Sequence, residues 1–166
     1  MTSINPGMEF RDEGAMDMSS DGAVVRQLNS LLRGEISAAE TYRMAIDKVA
    51  DAGDAANAGL LREIQEEHGR AAQGIRDRIR ELGGEASDSS GAWGAWAKTV
   101  QGTMNLFGDA SALKSLKEGE EHGLKDYEEA LDGVDADSGQ LIRNQFIPNQ
   151  SRHIGLLDGL IAATSH

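Results

Sequence analysis

The sequence matches itself when it is shifted by 85 residues without a gap. The matches include a Gly-Glu pair, a tyrosine, a glutamine and a histidine in each copy. Over residues 28–79 the two copies agree at twelve positions, where composition alone would give roughly four. A repeat of this length predicts the same helical unit twice in one fold. The identical residues in the first copy are Leu28, Ser30, Leu31, Gly34, Glu35, Tyr42, Ala45, Asp47, Val49, Gln65, His68 and Gly74.

Apolar residues recur at helical spacing in four segments. They predict helices over residues 21–50, 55–82, 110–132 and 138–163, with Ser20 or Asp21 as the first N-cap. Gly53 and Gly83-Gly84 are typical of helix ends. Pro148 should kink the fourth helix because it lacks a backbone donor. No segment alternates as a half-buried strand would, so the sequence predicts an all-α four-helix bundle built from two repeated hairpins.

Two segments lie outside the repeat. Residues 1–20 contain Pro, Gly, acids and four methionines without periodicity, which predicts a disordered N-terminal tail. Residues 21–166 then form the bundle, a suitable length for one domain. Residues 85–109 include Trp93 and Trp96, and their length predicts a long, partly helical crossover between helices 2 and 3 that packs its tryptophans on the bundle.

Composition limits the partners. With 16 Lys and Arg against 28 Asp and Glu, the formal charge is −12, which disfavours nucleic acid and favours cations. The absence of cysteine excludes disulfides, thiolate zinc sites and iron–sulfur clusters, so a metal would be held by oxygen and imidazole. There is no run of 18 apolar residues and no basic region followed by an apolar one. These features predict no membrane span and a cytoplasmic protein.

Four polar residues stand on helix faces that should be buried. Glu35 and Glu120 interrupt the apolar stripes of helices 1 and 3, while His68 and His153 interrupt those of helices 2 and 4. Burying a carboxylate raises the free energy of the folded state by several kcal/mol unless the group is paired, protonated or bound to a cation. Two carboxylates and two imidazoles suit Fe or Mn, with Zn as a further candidate, and either one or two ions. A metal-free Glu–His hydrogen-bond network is the alternative.

The segment Glu35-Ile-Ser-Ala-Ala-Glu-Thr-Tyr42, followed by an inward histidine and repeated after a long crossover, resembles the ferritin-like proteins. More narrowly, residues 27–161 are similar to an uncharacterised bacterial family of ferritin-like four-helix bundles, a domain of unknown function. The runs LNSLLRGE, HGRAAQGIRDRIRELGGEASDSSGAWGAW and KEGEEHGLKDYEEAL carry this narrower resemblance.

The resemblance implies that Glu35, His68, Glu120 and His153 are metal ligands. The sequence departs from the ferritin-like pattern at one point that matters for mechanism. Ferritin-like di-iron sites have Glu-x-x-His on the second and fourth helices, and that glutamate bridges the metals. Here Gln65 and Gln150 stand at both positions. Glutamine is neutral, which favours a single metal with the glutamines as hydrogen-bonding neighbours. The two glutamines therefore weaken the prediction of ferroxidase-type oxidoreductase chemistry. The sequence does not decide whether the chain is an enzyme.

The sequence also predicts the environment of residues that neighbour these four. Tyr42 and Tyr127 should each hydrogen-bond a buried carboxylate across the bundle. Glu66 and Glu67 should face solvent, since adjacent helical residues point about 100° apart. His122 should be solvated, because its counterpart in the first copy is Ser37. Gly34, Gly74, Gly119 and Gly159 lie inside helices, where each costs about 1 kcal/mol relative to alanine, and close helix approach would explain them.

Two functions in different classes follow from these residues. The first is a ferritin-like metal-binding protein that serves metal handling or oxidative-stress protection. The second is a non-enzymatic structural or stress-associated bundle in which the inward Glu and His residues only fix the helix register. Metal ions are the predicted partners in the first case. The number of subunits is left open, with a homodimer as one alternative.

Overall fold

The computed structural model describes residues 13–91 and 109–164, with side chains described from residue 20 and again from residue 110. Three long helices come first: α1 (Glu13–Asp51), α2 (Ala55–Glu81) and α3 (Asp109–Ala130). A fourth long helix is formed by α4 (Ala136–Leu141), a π-helical segment (Ile142–Phe146) and α5 (Ile147–Thr164), which follow one another without a break. The described part of the chain contains no strand, and the predicted all-α bundle is confirmed.

The first helix starts earlier than the sequence indicated. It begins at Glu13, so neither Ser20 nor Asp21 is its N-cap, and residues 13–20 of the predicted tail are helical. Once the packed part of a helix is formed, each added residue gains one hydrogen bond at low cost. The rest of the predicted tail, residues 1–12, and most of the predicted crossover, residues 92–108 with both tryptophans, lie outside the described residues. The division into a tail and a bundle domain stays a prediction.

Turn residues end the helices where the sequence predicted. Gly53 and Gly83 have φ of 84° and 76°, the left-handed conformation that glycine adopts without penalty. Asp54 caps α2 by accepting a hydrogen bond from the backbone N–H of Asn57, and Asp135 caps α4 in the same way through Ser138. These short turns make α1 and α2 one antiparallel hairpin, and α3 and the fourth helix another.

At Pro148, where the sequence predicted a kink, the fourth helix contains a π-helical segment. Pro148 is the second residue of α5, and the irregular segment lies just before it, where the N–H of Ile147 bonds to the carbonyl of Ile142. A π turn is wider than an α turn. It therefore gives room to a proline ring that would clash with the preceding turn of a regular helix.

The core is divided into two buried apolar clusters. α1 packs on α2 and α3, and α5 packs on α3 and α2, so that each helix has two neighbours. Along every helix the inward polar residue falls between the parts that supply the two clusters. The first contains Val24, Leu28, Leu31, Leu32, Ala72, Ile75, Ile79, Tyr127, Ala130, Ile142 and Phe146, and the second Tyr42, Ala45, Ile46, Ala58, Leu61, Ile64, Leu113, Leu116, Leu157 and Leu160.

Candidate metal centre

The four inward polar residues predicted from the repeat meet in one layer between the apolar clusters. Glu35 is 5% exposed, and His68, Glu120 and His153 are each 2% exposed. No buried polar side-chain atom of the described residues lacks a hydrogen-bond partner. The layer is therefore a closed network, which explains how two carboxylates are tolerated in the core.

His68 bridges the two carboxylates. Its Nδ1 lies 2.7 Å from Glu35 Oε2, and its Nε2 lies 2.9 Å from Glu120 Oε1. An imidazole can donate from both nitrogens only when it is protonated. The geometry thus places a positive charge between two negative ones.

His153 stands on the other side of Glu120. Its Nδ1 is 3.3 Å from Glu120 Oε2, and its Nε2 is 2.7 Å from Glu67 Oε2. The expectation that Glu67 faces solvent is wrong: its side chain is only 15% exposed and also pairs with Arg152. A bundle helix has two neighbours, so a residue about 100° from the core direction can still be covered by the adjacent helix. Glu66, by contrast, is 61% exposed.

The two tyrosines donate crosswise between the repeats. Tyr42 of the first copy donates to Glu120 Oε1 at 2.5 Å, and Tyr127 of the second donates to Glu35 Oε1. Burial, then the nearby carboxylates, raises the pKa of both tyrosines well above 10.0. Both phenols therefore stay protonated and remain hydrogen-bond donors, as the sequence predicted.

The two glutamines behave differently despite their equivalent positions. Gln150 Nε2 donates to the Glu120 carboxylate at 2.5 Å and to the Glu120 carbonyl at 3.0 Å. Gln65 Nε2 reaches only the carbonyl of Ala39, at 3.4 Å. Glu120 is thus contacted by both histidines, a tyrosine and an amide, while Glu35 is contacted by one histidine and one tyrosine.

One missing methyl group accounts for the close approach of Gln150. A Cβ placed on Gly123 would lie 2.6 Å from Gln150 Nε2, which no real contact allows. The counterpart of Gly123 in the first copy is Ala38, and on that side Gln65 reaches the carbonyl of Ala39 but not the Glu35 carboxylate. A symmetric sequence repeat therefore gives an asymmetric site with Glu120 at its centre.

The charges of the layer stabilise one another. Burial opposes a charged imidazole, but the carboxylates of Glu35 and Glu120 outweigh it and raise the pKa of His68 to about 10. Burial likewise opposes a charged carboxylate, but His68 and His153 together lower the pKa of Glu120 to about 2. At neutral pH the metal-free site therefore contains an imidazolium paired with carboxylates.

Three of the four predicted ligands form a group that fits a cation. His68, Glu120 and His153 each offer one ligand atom, and these atoms all lie within 4.8 Å of one another. Glu35 is not in this group; it contacts Nδ1 of His68, whereas Glu120 contacts Nε2. Two imidazoles and one carboxylate suit Fe, Mn or Zn. The role of the four residues as ligands stays a prediction.

The sequence predicted that close helix approach explains the four paired glycines, and this prediction is wrong for Gly34 and Gly159. A Cβ on Gly34 or Gly159 would meet no atom within 4 Å, and one on Gly74 would meet the Phe146 ring at an ordinary 3.5 Å. Close approach occurs instead at Gly123, which the repeat does not pair with another glycine. His122 is 56% exposed, as expected, and lies 3.5 Å from Asp126.

Family comparison agrees with the fold. A family model described as a domain of unknown function, DUF2383, matches residues 23–133, which is more than half of the chain. The chain belongs to the DUF2383 family. A comparison with curated proteins finds no significant match.

A solved structure extends the likeness of this DUF2383 protein over the whole bundle. Bacterioferritin from Rhodobacter capsulatus, described with a metal-free dinuclear site and haem iron, is 25% identical, with a TM-score of 0.71. The match covers 87% of this chain and 86% of the bacterioferritin chain. The DUF2383 protein is therefore a ferritin-like four-helix bundle, as the sequence resemblance implied. Among its described helices, none has the length and apolarity to cross a membrane.

Replacing Glu67 should weaken metal binding without removing a ligand. Glu67→Ala leaves His153 Nε2 without its acceptor and should reduce affinity for Co²⁺ about 10-fold, as loss of an outer partner of a metal-binding histidine usually does. Glu67→Gln keeps an acceptor oxygen and should restore most of the affinity. Competition titration with a chromophoric chelator measures both variants.

Glu66→Ala is the matched control for this prediction, because Glu66 is the exposed neighbour on the same helix. It should bind Co²⁺ as the wild type does. Equal affinity of the wild type and Glu67→Ala would show that Glu67 does not orient His153.

Proposed function

We propose that this DUF2383 protein handles iron by binding one divalent cation in the core of its bundle, through His68, Glu120 and His153. The observation that carries the proposal is the placement of three ligand atoms within 4.8 Å of one another in a buried layer. The likeness to bacterioferritin supports iron as the cation. The donor set also suits Mn²⁺ and Zn²⁺.

The charge of the layer supports a cation as ligand. With His68 neutral, Glu35 and Glu120 would leave two negative charges in the core, which a divalent ion offsets. In the metal-free protein a proton on His68 offsets one of these two negative charges, since both nitrogens of His68 contact carboxylates. Binding at His68 must displace that proton. Metal affinity should consequently increase with pH.

The asymmetry of the layer supports one ion rather than two. Glu120 receives the contacts of both histidines, while Glu35 contacts only His68 and Tyr127. Gln65 and Gln150 are neutral at the positions where ferritin-like di-iron sites have bridging carboxylates. A single ion needs no bridge. Binding, storage or buffering of the cation fits this donor set better than chemistry at a metal pair, and protection from oxidative stress would follow from keeping iron sequestered.

The chain's own residues would supply the other parts of such a site. Glu67 would hold His153 with Nδ1 directed to Glu120, the tyrosines would hold the two carboxylates, and Gln150 would fix the second oxygen of Glu120. A bound iron ion would supply redox and Lewis-acid chemistry. The proposal also includes a cytoplasmic location and a homodimer.

Metal loading tests the proposal. Protein purified without a histidine tag, stripped with chelator and incubated anaerobically with Fe²⁺ should retain about one ion per chain by elemental analysis, because the described residues contain one three-ligand group. Binding to the folded state alone should stabilise the protein by about 2.7 kcal/mol at a free metal concentration of 100 times Kd. Calorimetric scans with and without metal measure this gain.

The same experiment separates the second candidate function. The complete hydrogen bonding of the buried layer favours a metal-free network that only fixes the helix register. In that case Fe²⁺, Mn²⁺ and Zn²⁺ would all load well below one per chain, and chelator would leave Tm unchanged. That pair of results would contradict metal handling.

A further inference from the structure

Within the part of the chain that the structure describes, a cavity of about 140 Å³ leads from the surface between α1 and α3 to the buried layer. Its inner end is formed by Glu35, Glu120 and His68, and its walls include Tyr42 and Tyr127. It thus reaches the carboxylate pair directly. A second cavity, beside His153 and Glu67, has a volume of about 10 Å³, which is at the lower limit for one water molecule. Only the larger of these two can admit a partly hydrated ion.

Small side chains form part of the walls of the larger cavity. Ser30, Gly34 and Ala38 line it from α1, one turn apart, and Gly119 and Gly123 line it from α3. The space above Gly34 is open, since a Cβ there would meet no atom within 4 Å. Glycine inside a helix lowers stability relative to alanine, so this opening is maintained at a cost.

Carboxylates lie at both the mouth and the base of the cavity. Asp126 and Glu129, with side chains 30% and 65% exposed, lie on its lining near solvent, while Glu35 and Glu120 lie at the buried end. Carboxylates at both ends of a low-dielectric passage attract cations and repel anions. The lining residues described contain no Lys or Arg.

We propose that this cavity is the access passage by which a divalent cation reaches the buried layer, and that Gly34 keeps it open. The proposal rests on the proposed function, because it needs a cation site at the inner end. It assigns Gly34 a role in the rate of binding and none in the affinity. A larger side chain at this position points into the opening and leaves the ligands and their hydrogen bonds in place.

The test compares rates with equilibrium constants. Gly34→Leu should slow Co²⁺ association about tenfold or more in stopped-flow absorbance, the effect of a modest added barrier, while stoichiometry and Kd stay those of the wild type. Gly159→Leu is the matched control, since Gly159 is also an interior helix glycine with open space at its Cβ but does not line the cavity. It should bind at the wild-type rate. Ser30→Leu, on the same wall, should slow association as well and replaces Gly34→Leu if that variant fails to fold.

The outcomes distinguish the two proposals. Wild-type protein that binds Co²⁺, together with Gly34→Leu and Ser30→Leu variants that bind at the same rate, would overturn the passage and leave the metal site standing. A change in Kd without a change in association rate would also overturn it, since the substitution would then act on the site. Wild-type protein that binds no Co²⁺ would overturn the metal site and the passage together.

Discussion

His153→Ala should lower the affinity for Fe²⁺ or Co²⁺ by more than about 100-fold, beyond the 10–100-fold loss that follows removal of an outer partner. The variant removes one of the three grouped ligand atoms. It leaves Glu120 with His68, Tyr42 and Gln150 as partners, so the layer keeps its charge balance. Isothermal titration under anaerobic conditions measures the affinity.

Stability separates loss of a ligand from loss of the fold. His153→Ala removes one hydrogen-bond partner each from Glu67 and Glu120, and each of these losses costs about 1–3 kcal/mol. The variant should therefore remain folded at room temperature. His122→Ala is the matched control, because His122 is 56% exposed and should leave affinity unchanged. Undiminished loading of the His153 variant would contradict the proposed ligand group.

His68→Ala should destabilise the metal-free protein more than any other single change in the layer. It removes the charged group between Glu35 and Glu120 and leaves two buried carboxylates facing each other. Breaking a buried ion pair by removing one partner costs about 3–5 kcal/mol. Urea denaturation of chelator-treated protein at pH 6 measures the loss, and a slope unchanged from the wild type shows that the folded state is still compact.

The pH dependence identifies the charge as the cause. The folded pKa of His68 is about 10, above the ordinary 6.5, so its contribution is complete below pH 6.5 and is lost as pH rises toward 10. The folded pKa of Glu120 is about 2, below the ordinary 4.5, so its contribution is complete above pH 4.5 and is lost as pH falls toward 2. The pair should stabilise the metal-free protein most between pH 4.5 and 6.5.

The difference between wild type and His68→Ala should therefore be largest in that window and decrease toward pH 10. His122→Ala should show no such decrease between pH 6.5 and pH 10. A difference that is constant from pH 5 to pH 10 would mean that His68 stabilises the core by its volume and not by its charge.

The two copies of the repeat make different contacts in the buried layer. The two copies supply equivalent glutamates, histidines, tyrosines and glutamines, yet the contacts they make are unequal. Gly123 admits the Gln150 amide to Glu120, whereas the equivalent residue is Ala38 and Gln65 reaches only the carbonyl of Ala39. Glu67 contacts His153, whereas its counterpart Arg152 makes an ion pair with Glu67 itself. The contacts are thus concentrated on Glu120, although the repeat supplies both carboxylates.

The sequence by itself determined the helices, their pairing into two hairpins and the inward direction of Glu35, His68, Glu120 and His153. Helical periodicity and glycine-bounded turns are local properties, and a polar residue on an apolar stripe stands out without knowledge of its neighbours. The crosswise tyrosine bonds were also predictable in kind, because a buried phenol and a buried carboxylate each need a partner.

Only the tertiary structure decided which of these residues touch. The inward placement of Glu67 depends on how closely α5 covers the flank of α2, and no spacing within α2 encodes that distance. The open space at Gly34 and the contact at Gly123 likewise depend on atoms from other helices. Periodicity gives the direction of a side chain to within a face of the helix, whereas hydrogen bonds and cavities are decided by a few tenths of an ångström between elements that are far apart in sequence.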